Sequence, residues 1–311
     1  MLLYTPLSSQ LKKSSAVCPA ISKQFIPSKI EGKKESKTFV DPLLEDEYTV
    51  CRGLVHKYSN RVLVLLTMNC AAYCRFCTRR RIVSDVKSGV VTEKDLDAMI
   101  QYIKKHQEIK EIIFSGGDPL TVPGLLKIAL KKLGSLPQIK VIRVGTRLHF
   151  SNPALVNNKV LEALRVVKNK PLYLMVHFEH PSELTPATKQ AIKKLQLVST
   201  MLLSQSVSLR GVNDSVDVLY NLFSSLIEIG VKPYYLYRCD LVKGAEHFLV
   251  DFKKERKIVS DLRRRLSGIA MPLYVIDVPG GNGKVPVPLD FWPISDKVIY
   301  RDFLGKSSKV V

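Results

Sequence analysis

From Val62 to Asp277, short runs rich in β-branched and aromatic residues alternate with longer amphipathic segments, and this rhythm limits the fold more than any other feature. The short runs are Val62–Met68, Glu111–Ser115, Lys140–Gly145, Leu172–His177, Met201–Ser204, Lys232–Tyr237 and Pro272–Asp277. Their composition suits strands buried on both faces of a parallel sheet. Between them, Thr92–Lys105, Leu125–Leu133, Pro153–Val167, Thr185–Leu197, Ser215–Ile229 and Phe252–Leu266 have helical spacing. Thr92-Glu-Lys-Asp and Asn213-Asp-Ser-Val-Asp read as helix openings. Repeated βα units predict an α/β fold with a parallel barrel, whole or partial, and a site at the strands' carboxyl ends. Residues 1–50 are polar and lysine-bearing and predict an N-terminal arm. Residues 51–270 form the expected core, with 271–311 as a C-terminal segment packed on it.

With 311 residues, 46% of them hydrophobic, the chain can bury one large core. Its apolar runs are shorter than the roughly 18 residues that span a bilayer, so no membrane partner is expected. Met1-Leu2-Leu3 opens no signal peptide, and a cytoplasmic place follows. The formal net charge of +20 suggests nucleic acid or an acidic protein partner. Pairs such as Lys104-Lys105, Lys131-Lys132 and Lys193-Lys194 place much of it on solvated helix faces, and no nucleic-acid-binding motif accompanies it. Specific nucleic-acid binding is therefore not expected.

Directly after the first predicted strand comes Cys70-Ala-Ala-Tyr-Cys74-Arg-Phe-Cys77, then the basic run Thr78-Arg79-Arg80-Arg81. Thiolates spaced C-x3-C-x2-C on one loop are natural iron–sulfur ligands. Three ligands leave one iron of a four-iron cluster open to a small molecule. A structural zinc site needs four ligands, commonly two C-x2-C pairs, and the second pair is missing. Cys18, Cys51 and Cys239 are scattered, which is no disulfide framework. At these residues the chain resembles the radical S-adenosylmethionine enzymes. With CRFCTRRR it resembles, more narrowly, the lysine 2,3-aminomutase family. The resemblance runs from about Asp41 to Asp302 and implies a partial, six-unit (β/α)6 barrel holding a 4Fe-4S cluster on Cys70, Cys74 and Cys77.

Each later strand ends on residues with chemistry of their own. Ser115-Gly116-Gly117-Asp118-Pro119 is either a tight strand-to-helix turn or a backbone nest for a charged group. It resembles the GGDP motif, which implies contact with the amino group of S-adenosylmethionine. His177 and Gln205 match positions that line the same cofactor. Asp277-Val-Pro-Gly-Gly-Asn-Gly-Lys284 invites a phosphate-loop reading, but Val278 and Val285 stand where that loop needs Gly and Ser or Thr. A lysine after such a loop suits Schiff-base chemistry, and the resemblance to PGGGGK implies that Lys284 carries pyridoxal 5′-phosphate. His56-Lys57-Tyr58-Ser59-Asn60-Arg61 is similar to the phosphate-contacting HRYPDR, with Lys57 replacing an arginine and losing its planar fork. Tyr58 and Arg61 carry over without change.

Arg79 can clamp a carboxylate, and Asp240 and Asp277 just past strands can select a distant cation or serve as turn residues. All three match lysine-binding positions of the family, which implies L-lysine as substrate and its interconversion with β-lysine. In its DPL…GLVHKY opening the chain is similar to short relatives that make β-lysine for elongation factor P. A radical enzyme acting on another amino acid, a protein-bound lysine or RNA is the alternative. The resemblance also implies an electron donor such as flavodoxin or ferredoxin, and a homo-oligomer. No cysteine follows Cys239, so the C-terminal zinc site of longer relatives is not expected.

Overall fold

The computed structural model describes residues 7–11, 17–32, 38–83 and 89–289, and the backbone of 299–301 and 307–309. Two short helices, α1 (Leu7–Leu11) and α2 (Pro19–Phe25), precede the sheet. Three antiparallel strands open it: β1 (Thr49–Cys51), β2 (Leu54–Tyr58) and β3 (Arg61–Thr67). From β3 the sheet is parallel through β4 (Glu111–Gly116), β5 (Val141–Thr146), β6 (Leu172–His177), β7 (Met201–Ser208), β8 (Val231–Arg238) and β9 (Leu273–Asp277). Strand β10 (Lys284–Pro286) turns back antiparallel on β9. Neighbours follow sequence order from β1 to β10 and the ends do not meet, so the barrel is partial. A small ladder of β11 (Ile299–Arg301) and β12 (Ser307–Lys309) follows.

The crossovers carry α3 (Glu93–Lys105), α4 (Pro123–Gly134), α5 (Leu148–Ser151), α6 (Asn158–Leu164), α7 (Pro186–Gln196), α8 (Val216–Glu228) and α9 (Phe252–Arg265). Thr92 opens α3 with a reciprocal capping box to Asp95. Thr185, Ser215 and Asp251 accept backbone N–H groups at the starts of α7, α8 and α9. These side chains satisfy donors that a helix leaves unpaired. The expected helix Pro153–Val167 is divided, because Asn157 accepts from Lys159 N and starts α6 afresh after a 3-10 turn at Pro153–Leu155. Among the described residues no helix is long and apolar enough to cross a membrane.

Strands β4 and β5 alternate between buried and half-buried positions. Ile112, Phe114, Ile142 and Val144 join the main core with Leu126, Leu130 and Leu133 of α4. The sequence pattern predicts burial on both faces, whereas the alternation is that of a sheet with one packed face. The other face carries polar groups such as Ser115, Arg143 and Gln205. An open crescent with a polar inner face explains the difference.

Candidate functional site

The loop after β3 carries Cys70, Cys74 and Cys77 as free, half-buried thiols. Tyr73 adopts the left-handed region at φ 54 and turns the loop sharply. Cys77 N donates to Cys74 O at 3.2 Å. Ile21 and Phe25 of α2 pack with Ala72 against Cys70 and Cys74. Burial pushes the Cys74 thiol up to about 11 against the pull of Arg147, and raises Cys70 and Cys77 as well. A metal ion bound to such thiols would displace their protons. Among the described residues no three His, Cys, Asp or Glu side chains converge on one metal ion. Three sulfurs on one loop instead fit the corners of a cluster. Asn69 Nδ2, Arg147 Nε and Glu179 Oε1, near this loop, are buried with no protein hydrogen-bond partner, as beside a bound polar group.

Gly116 and Gly117 hold the cysteine loop against β4. A Cβ on Gly116 would lie 2.2 Å from Thr67 O, and one on Gly117 2.2 Å from Asn69 O. Gly117 N donates to Thr67 O at 2.5 Å and Asp118 N to Asn69 O at 2.8 Å. The paired glycines thus admit a neighbouring backbone rather than leaving open space. Asp118 is also occupied by protein, accepting from Leu120 N, Thr146 Oγ1 and Arg147 N. Burial raises its carboxyl to about 6 against these bonds. Next along the rim, His177 of β6 lies in register with Gln205 of β7. Burial, then Arg147, lower the imidazole to about 4, so it is neutral near pH 7. Gln205 Nε2 donates to Tyr237 OH at 2.8 Å.

At the far end, Gly280, Gly281 and Gly283 have positive φ and make the turn that returns β10 onto β9. It sets Lys284 opposite Asp277, with Nζ 3.1 Å from Oδ1 and 3.0 Å from Oδ2. Burial works against the Lys284 charge, but Asp277, Tyr58 and Asp240 outweigh it and raise its pKa. Asp240 is pushed up to about 8 by burial and by Asp277. The Tyr237 ring lies 5.6 Å from Lys284 Nζ. Burial lowers the Lys57 ammonium, which also feels Asp277 and Lys284. Its Nζ donates to Leu43 O at 3.3 Å, and the Arg61 guanidinium stacks 3.9 Å from the Tyr58 ring centre.

Arg79 is already paired. Its Nε and Nη2 donate to the two oxygens of Glu45 at 2.7 and 2.6 Å, and Nη1 donates to Ser115 Oγ at 3.0 Å. The guanidinium therefore faces a protein carboxylate on one edge and the S-G-G-D loop on the other. Sequence reasoning passed over Glu45, although it sits in the acidic Asp41–Tyr48 stretch. It also passed over Arg147, whose Nη1 donates to Cys74 Sγ at 2.9 Å. Arg147 follows β5 directly, and inspecting every strand's carboxyl end would have found it.

Comparison with known proteins separates what is shared from what varies. The Radical SAM superfamily pattern matches residues 64–201, and with it come a four-iron cluster and S-adenosylmethionine. The L-lysine 2,3-aminomutase of Acetoanaerobium sticklandii is 39% identical over 289 residues, which is 92% of this chain and 69% of that one. That of Fusobacterium nucleatum is 38% identical, covering 96% of this chain and 70% of its own. The glutamate 2,3-aminomutase of Clostridioides difficile is 34% identical, covering 94% and 69%. Among solved structures, a radical SAM methyltransferase from Sphaerobacter thermophilus superposes with a TM-score of 0.51 at 16% identity, over 72% of this chain and 68% of that one. That likeness concerns the fold alone. Relatives alike over most of their length differ in substrate but share the amino-group migration, so the chain is an isomerase and belongs to the lysine 2,3-aminomutase family of radical SAM enzymes.

Proposed function

We propose that the protein interconverts L-α-lysine and L-β-lysine, with pyridoxal phosphate on Lys284. The observation that supports this most is the acidic pair Asp240 and Asp277 around a buried ammonium, now that of Lys284. Two carboxyl groups in so small a space, with Asp240 held neutral by burial and by Asp277 at rest, favour an added cation beside them, which would let both ionise. With Lys284 holding the cofactor, the substrate's ε-ammonium would take the place beside Asp240 and Asp277. Glutamate would put a third carboxylate there, so the pair favours lysine.

Cys70, Cys74 and Cys77 would hold the cluster, and Ser115, Gly116, Gly117, His177 and Gln205 would border S-adenosylmethionine. Asp118 would shape that border through its bonds to β5. Lys57, Tyr58 and Arg61 would meet the phosphate, with Arg61 held by its stacking on Tyr58. Arg79 would take the substrate's α-carboxylate on its Nη1 side, in place of Ser115. When bound, these groups supply hydrogen-atom abstraction and electron delocalisation beside the migrating nitrogen. The chain's own share is to place the substrate's two charged ends and to exclude water, so that the reacting carbon is presented in one orientation.

The same reading places the enzyme in the cytoplasm, with flavodoxin or ferredoxin as electron donor, a homo-oligomeric assembly, and β-lysine serving elongation factor P. Anaerobic turnover of L-lysine with dithionite, S-adenosylmethionine and pyridoxal phosphate tests its core. β-Lysine should form, and be lost in Lys284→Ala. Release of 5′-deoxyadenosine without β-lysine would send the search to another substrate.

A further inference from the structure

Arg147 is 5% exposed, and its side chain joins three parts of the chain. Its Nη1 donates to Cys74 Sγ at 2.9 Å. Its Nη2 donates to Gln24 Oε1 of α2 at 2.5 Å and to the Glu183 carboxylate at 3.0 and 3.1 Å. Rings of Phe25, Phe76 and Phe150 lie 4.7, 5.6 and 6.0 Å from the guanidinium carbon. Those rings keep water from screening the charge, so it acts on the sulfur at close range and low polarity. Glu183, fully buried, faces it from the other side and also accepts from Gln24 Nε2, Glu179 N and His180 N. The sulfur therefore meets a cation whose net strength is lowered by the Glu183 carboxylate behind it, with Glu179 also within electrostatic reach of both the guanidinium and the sulfur.

We propose that Arg147 and Glu183 together set the reduction potential of the cluster, Arg147 by donating a charged N–H to the ligand sulfur of Cys74 and Glu183 by offsetting that charge. The inference rests on Cys74 as a cluster ligand. Reduction adds one electron from the external donor to the cluster and its thiolates. A cation and an N–H at the sulfur favour the more negative, reduced state. Removing the guanidinium should make reduction harder, and removing the carboxylate behind it should make reduction easier. A purely structural tie between α2, the cysteine loop and the Pro181–Glu183 turn predicts no such opposition of sign.

The test is potentiometric titration of the anaerobically reconstituted enzyme, followed by electron paramagnetic resonance of the reduced cluster, with iron and sulfide counted in each sample. Arg147→Met should move the midpoint to more negative potential, and Glu183→Gln to less negative potential, with iron content retained. Arg147→Lys keeps the charge but not the guanidinium fork, and should fall between wild type and Arg147→Met. Where Arg147→Met fails to fold or load, the opposed shifts of Arg147→Lys and Glu183→Gln decide. Shifts of the same sign, or unchanged midpoints in fully loaded samples, overturn the proposal. So does a weakened affinity for S-adenosylmethionine with no change in midpoint. Cys74→Ala separates the underlying reading: a full cluster with an unaltered spectrum would remove Cys74 as ligand, whatever the Arg147 variants do.

Discussion

Asp240 holds a proton that an ordinary aspartic acid loses, because burial and the neighbouring Asp277 push it up to about 8. Unfolded, the same group titrates near 3.9. Between about pH 4 and pH 8 the folded chain therefore binds a proton that the unfolded chain has released, and stability from this group falls as pH rises through that window. Asp240→Asn should relieve the penalty. Its melting temperature relative to wild type should grow by roughly 4 °C between pH 6 and pH 9 in scanning calorimetry of the apoprotein. A constant difference would mean that Asp240 ionises normally. Under the lysine reading, the substitution should also cut β-lysine formation about a hundredfold, as truncation of a buried charge partner does. A second residue-scale expectation concerns Glu45, which grips Arg79 by its Nε edge. Glu45→Gln should raise the KM for lysine severalfold with a smaller change in kcat, because it loosens the arginine without removing it. A lowered KM would instead make Glu45 a competitor for the substrate's place. The places of Asp240, Asp277 and Lys284 in the fold were legible in the sequence because each stands at or just past a strand end in a recognisable motif. Glu45 and Arg147 were not, because each takes its meaning from a partner 34 or 73 residues away.

Elements were legible where local chemistry decides them. The caps at Thr92, Thr185, Ser215 and Asp251 start helices by bonds to residues in the next turn, and the apolar runs between them are long enough to declare strands. The edges were harder. Strands β1 and β10 have three residues each and exist through pairing with β2 and β9, which no local pattern announces. The junction between β3 and β4 illustrates a constraint that spacing hints at but only packing explains. Gly117 has no positive φ, yet its missing Cβ is what lets Asn69 O approach beside Cys70. Gly117→Ala must push the cysteine loop away, at a cost of about 1–3 kcal/mol by analogy with overpacking. It should lower the melting temperature by several degrees and lower the iron bound after reconstitution. Normal iron content in a destabilised variant would show that the loop moves without disturbing the cysteines.

For the whole molecule, 48 Lys and Arg against 28 Asp and Glu leave a charge of +20. Part of the cationic charge is internal: Arg75 and Arg80 grip Glu31, Arg79 grips Glu45 and Arg147 grips Glu183. Among the described residues, part of the excess is exposed on the outer helices, as at Lys131 of α4, Lys193 of α7 and Arg263 of α9. Folding gathers these charges, so like-charge repulsion opposes the compact state. Sodium chloride shortens its reach from about 30 Å at 0.01 M to about 10 Å at 0.1 M. The melting temperature should therefore rise by a few degrees over that range, while the buried pairs, shielded from the salt, keep their strength. Lys253→Glu on the exposed side of α9 should raise the low-salt melting temperature and flatten the response. A flat response in wild type would mean that native ion pairs already offset the excess. A rise driven by low concentrations of a polyanion, yet absent with sodium chloride, would mean that the charge is gathered into a docking surface for an acidic partner. The two outcomes differ because diffuse repulsion responds to ionic strength alone, whereas a docking surface responds to the shape and valence of what binds it.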